Sequence, residues 1–65
     1  MNGTVASWFA RRNYGFIQLD RSPDEIFVHV SDLPDRKPIP VGTPVTFEVI
    51  DYAGRPKATR VQVRQ

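Results

Sequence analysis

At 65 residues the chain has room for one domain, and a chain of that size buries only about 60% of the surface its unfolded form exposes, which leaves no material for a deep catalytic cleft. The absence of cysteine removes disulfide bridges and thiolate zinc sites, so packing and backbone pairing alone must hold the fold. The formal net charge is only +2, yet it is unevenly spread: Asp20, Asp24, Glu25, Asp32 and Asp35 crowd the middle, whereas Arg11-Arg12 and the stretch from Arg55 to Arg64 contain no acid.

The hydrophobic period is close to two throughout, and no window carries the i, i+3, i+4, i+7 pattern of an amphipathic helix. That predicts an all-β chain. The first strand spans residues 3–9 and is followed by a short polar turn, residues 10–13, in which Asn13 can take a left-handed conformation. The second strand, residues 14–19, leads through Ser22-Pro23-Asp24 into a third, residues 25–30. The longest connection runs from residue 31 to residue 42. Its Pro34, Pro38 and Pro40 exclude a central strand, Ser31-Asp32-Leu33 suits one 3₁₀ turn, and Leu33 or Ile39 pins the crossover to the core. The fourth strand, residues 43–51, buries Val45, Phe47 and Val49 by alternation, and a turn centred on Ala53-Gly54 follows. The fifth, residues 56–64, buries Val61 and Val63 and turns Arg60, Gln62 and Arg64 outward. Five short strands with one long crossover predict a single domain over residues 1–65, a small closed antiparallel barrel. The oligonucleotide/oligosaccharide-binding (OB) fold matches that count.

Alternation along the second and third strands separates two faces. Ile17, Leu19, Ile26, Val28 and Val30 fall on one and form a core; Tyr14, Phe16, Phe27 and His29 fall on the other and look outward. Burying the rings instead would expose the aliphatics. Each ring offers roughly 150–250 Å², so several together exceed the apolar patch a soluble monomer usually exposes. Such a patch calls for a flat, π-rich partner, and base stacking on an aromatic ring is worth about 1–3 kcal/mol whatever the base. His29 with Asp32 makes a poor metal site, for want of a cysteine or a second histidine. Asp20 and Asp24 are explained by a polar turn rather than acid–base chemistry. No phosphate-cradling glycine loop or activated nucleophile is present, so no enzyme, cofactor or small-molecule substrate is expected.

Arg12-Asn13-Tyr14-Gly15-Phe16-Ile17 resembles the first ribonucleoprotein motif of the cold-shock domain, Lys-Gly-(Phe/Tyr)-Gly-Phe-Ile, and Ile26-Phe27-Val28-His29-Val30 resembles the second, Val-Phe-Val-His-(Phe/Val). Gly3-Thr4-Val5, the pair Trp8-Phe9, the run from Val41 to Phe47 and the closing Pro56-Lys57-Ala58-Thr59-Arg60-Val61 are similar to the same family, so the likeness covers essentially the whole chain. The resemblance implies a five-stranded barrel that binds single-stranded RNA or DNA with loose sequence preference, as an RNA chaperone or a regulator of transcription or translation. Tyr14, Phe16, Phe27 and His29 would be its stacking platform.

The chain also departs from the family. The usual opening, Gly-Thr-Val-Lys-Trp-Phe-Asn, has one residue fewer before the Trp than Gly3-Thr4-Val5-Ala6-Ser7-Trp8-Phe9. Ungapped alignment puts Trp8 on the family's Phe; compensating shifts put it on the family's Trp. Either position adjoins the binding face, so Trp8 is kept as a site residue and Phe9 is left in doubt. The family's lysine ahead of the Trp is missing, with Arg11 and Arg12 available to compensate. Val30 stands where many bacterial members carry another Phe. Arg55 and Lys57 retain a basic contribution before the last strand. The expected partner is single-stranded RNA or DNA, with no membrane, for a cytoplasmic monomer; exchange of strands between two copies through the proline-rich crossover is an alternative. A second function class stays open: a small barrel docking an extended peptide through the same aromatic face.

Overall fold

The computed structural model describes residues 1–64; Gln65, the last residue of the expected domain, lies outside the described residues. Five strands, β1 (Asn2–Phe9), β2 (Tyr14–Leu19), β3 (Glu25–His29), β4 (Pro44–Tyr52) and β5 (Arg55–Val63), close into a barrel in the order β1-β2-β3-β5-β4. The antiparallel arrangement expected holds at every seam but one. β3 and β5 run parallel, pairing Phe27 with Lys57 and Val28 with Ala58, because the crossover from residue 30 to residue 43 carries the chain past β3 before β4 and β5 form their hairpin. Among the described residues no helix is long and apolar enough to cross a membrane.

Local sequence accounts for the connections. Asn13 takes a φ of 58° in the β1–β2 turn, and Ala53 and Gly54, at φ 53° and 82°, form a two-residue turn between paired Tyr52 and Arg55. Two successive positive φ values match the twist of a right-handed hairpin. The crossover contains two 3₁₀ turns rather than one, at Val30–Asp32 and Pro34–Arg36. Val30, expected at the end of the third strand, opens the first of them. Leu33 and Ile39 both reach the core, so the crossover is anchored twice.

The core comprises Val5, Ile17, Ile26, Val28, Leu33, Ile39, Val45, Phe47, Ala58 and Val61. Val49 is half-buried at its margin. Val63 corrects the expectation of burial: it pairs with the fully enclosed Val45 but lies at the open end of β5 and is 50% exposed. An extra residue in β5 lets two steps of β4, from Thr46 to Glu48, oppose three of β5, from Gln62 to Thr59. Arg60 takes the left-handed φ of 53° there. This bulge allows Ala58 and Val61, three apart, both to face inward.

Candidate nucleic-acid interface

β2 and β3 are in register so that Tyr14 opposes His29 and Phe16 opposes Phe27. Opposed residues on adjacent strands project to the same side of a sheet, and the four side chains occupy the outer face while Gly15, Ile17, Ile26 and Val28 are buried behind them. Ring centroids lie 5.4 Å apart for Tyr14 and Phe27, 6.1 Å for Phe16 and Phe27, and 6.1 Å for Tyr14 and Phe16. Tilted and edge-to-face geometries at such distances are mutually attractive, so the rings brace one another while keeping surface open to solvent.

β1 extends this platform by a route that alternation alone does not reveal. Val5 pairs with Ile17, but Ser7 pairs with Phe16, so β1 takes two steps where β2 takes one. Beyond this bulge the faces of β1 are exchanged relative to unbroken alternation from Val5. Trp8 turns inward opposite Gly15 and packs against the core, whereas Phe9 turns outward opposite Tyr14. Phe9 lies 5.4 Å from Tyr14 and 6.4 Å from Phe16 by ring centroid and is 46% exposed. The platform therefore contains Phe9, and Trp8 is not brought onto it. The one sequence signal that bears on this is a glycine inside β2, and the structure gives its meaning: a Cβ at Gly15 would stand 2.6 Å from Trp8 Cε3 and would also meet the Ser7 carbonyl oxygen. Gly15 is thus the complement of an inward tryptophan on the neighbouring strand.

The basic residues divide into two sets. Arg11 and Arg12 are exposed in the turn joining Phe9 to Tyr14, and Arg55 is exposed at the start of β5; among the described residues none of the three makes an ion pair. Lys57 differs. Its Nζ is 3.1 Å from Asp32 Oδ2 and 4.7 Å from the centroid of Tyr52, with both charged side chains only 17% exposed. Asp32 Oδ1 also accepts from Thr59 Oγ1 at 3.3 Å. Lys57, kept in the sequence as a basic site residue, thus also ties the crossover to β5 beside the parallel seam through Asp32.

Between Phe16 and Phe27 on one side and Tyr52, Arg55, Pro56 and Lys57 on the other lies a groove of about 410 Å³ with Glu25 at its edge. It continues the ring surface across β5 to the β4–β5 hairpin. The 59% exposed Tyr52 forms its far wall.

The comparisons with known proteins agree with this geometry. The family model described as the 'Cold-shock' DNA-binding domain matches residues 1–64. A cold shock-like protein of Aquifex aeolicus (strain VF5) is 34% identical over 64 residues, covering 94% of this chain and 90% of that one. The solved structure of drosophila Unr CSD456 superimposes with a TM-score of 0.82 at 25% identity over 98% of this chain, which spans only 26% of that longer one. Matching motifs, a matching barrel and a family match over nearly every residue lead to one conclusion: this chain belongs to the cold-shock domain family, whose members are in general nucleic-acid-binding proteins.

Proposed function

We propose that this chain binds single-stranded RNA or DNA non-enzymatically, stacking bases on Phe9, Tyr14, Phe16, Phe27 and His29 while Arg11, Arg12 and Arg55 meet phosphates. The observation that carries this reading is the continuous, half-exposed ring cluster over a barrel whose core is built entirely from other residues. Every base has a π-face, so such a platform binds with little sequence preference. Bases already paired in a duplex cannot present that face. Binding therefore shifts local equilibria toward the open strand without nucleotide hydrolysis, which is the action of an RNA chaperone. Peptide docking through the same rings is less favoured: Arg11, Arg12 and Arg55 beside them, which make no ion pair among the described residues, suit phosphates better than a proline ridge, and the closed barrel leaves no free edge for strand addition.

The test is fluorescence anisotropy of a labelled pyrimidine-rich single strand and of its duplex over a salt series. With three arginines flanking the rings that make no ion pair among the described residues and a slope of about −0.7 per neutralised phosphate on a single strand, log affinity should fall with log salt at about −2. Equal affinity for duplex would refute stacking as the source of binding. A flat salt dependence would refute the phosphate contacts.

A further inference from the structure

His29 carries information that ring stacking does not use. The Ser31 backbone N–H donates to His29 Nδ1 at 3.2 Å, and the Ser31 hydroxyl lies 3.0 Å from the same nitrogen. A backbone N–H can only donate, so Nδ1 is held as an acceptor. The hydroxyl, whose proton rotates to suit, reinforces it. In a neutral imidazole the proton must then be on Nε2, on the opposite edge of the ring. Among the described residues no protein group hydrogen-bonds Nε2. The holding groups belong to the Val30–Asp32 turn, which the His29 side chain caps. Its last residue, Asp32, is in turn clamped to Lys57, so the orientation of the ring is built into the crossover.

We propose that Ser31 is a positioning residue that locks His29 in its Nε2–H tautomer, making it a directed hydrogen-bond donor to an acceptor atom of the bound strand. This rests on the single-strand reading and deepens it: His29 supplies one oriented polar contact on a surface whose other members are sequence-blind.

The full chain, labelled with ¹⁵N, is examined by long-range ¹H–¹⁵N correlation of the imidazole at a pH where it is neutral. The Nε2–H form should dominate; Ser31→Ala, which keeps the backbone N–H donor and loses only the reinforcing hydroxyl, should raise the other tautomer in part, and Ser31→Thr should restore the wild-type pattern. In strand-binding assays Ser31→Ala should weaken affinity about 2- to 5-fold, since affinity falls with the fraction in the competent form and one net hydrogen bond is worth a few-fold. His29→Phe, which keeps a stacking ring and loses the donor, should weaken it about 3- to 10-fold. In the His29→Phe background, removing the Ser31 hydroxyl should change nothing. A wild-type Nδ1–H tautomer, or a Ser31→Ala defect that persists beside His29→Phe, overturns the proposal. Failure of the wild-type chain to bind the strand while showing the Nε2–H tautomer would instead overturn the nucleic-acid reading and leave the tautomer assignment standing.

Discussion

Replacing Trp8 and Phe9 in turn by alanine separates the two faces of β1. Trp8 is partly buried against the core behind Gly15, so truncating it to alanine should cost about 2–4 kcal/mol, somewhat under the 3–5 kcal/mol of a fully buried aromatic. A chain of 65 residues has in total roughly 3–10 kcal/mol of stability at 0.05–0.15 kcal/mol per residue. Trp8→Ala should therefore remove a large share of the stability and lose binding only through unfolding. Phe9 is 46% exposed. Truncating it forfeits about half of the 1.5–3 kcal/mol of a fully buried ring, or about 1 kcal/mol. In binding, however, it removes one stack of about 1–3 kcal/mol, which is a loss of about 5- to 150-fold. Urea unfolding followed by circular dichroism, which needs no tryptophan, reads the first quantity, and oligonucleotide anisotropy below the unfolding transition reads the second. The reasoning fails if Phe9→Ala binds like wild type while Trp8→Ala keeps its stability and loses affinity, because the tryptophan would then be the outward ring.

Two further substitutions probe the supports of the platform. Gly15→Ala places a Cβ against the Ser7 carbonyl oxygen and 3.1 Å from Trp8 Cα, backbone atoms that move only with the strand, so overpacking should cost about 1–3 kcal/mol or more; a urea midpoint unchanged from wild type would show that Trp8 does not cover this position. Asp32→Asn keeps an acceptor for Thr59 but removes the countercharge from Lys57, and the freed ammonium, on a residue paired with Phe27 across the parallel seam, should steepen the salt dependence of strand binding by about 0.7, toward −3. An unaltered slope would mean that the released lysine does not reach a phosphate.

The aromatic pair of strands was legible because its pattern is local. Tyr14 and Phe16 alternate with Gly15 and Ile17, and Phe27 and His29 with Ile26 and Val28, with no irregularity in either strand. Period two then assigns every face correctly. The crossover was legible for a similar reason: three prolines exclude a ladder, and Leu33 and Ile39 are the aliphatic anchors available to hold it. Where alternation failed, a bulge or a strand end intervened. At Val5–Ser7 one extra residue exchanges the faces of Trp8 and Phe9. At Arg60 another lets Ala58 join the expected Val61 in the interior, and Val63 is exposed because the barrel ends there. A bulge is a relation between two strands, and one strand's own sequence does not disclose it.

The same distinction explains why charge was harder to read than stacking. A ring on a regular strand has its face assigned by the aliphatic neighbours i−1 and i+1 that take the other face, but a lysine's role depends on what stands across a seam. Lys57 meets Asp32 only because β3 and β5 lie side by side, 25 residues apart in the chain. That contact takes one cation out of the open surface and fixes the turn that orients His29. The crossover thus closes the barrel, holds Lys57 and aims the imidazole with the same few residues, Ser31 and Asp32. Perturbing it should alter binding polarity and salt dependence before it alters the ring platform, whose braces run within β1, β2 and β3.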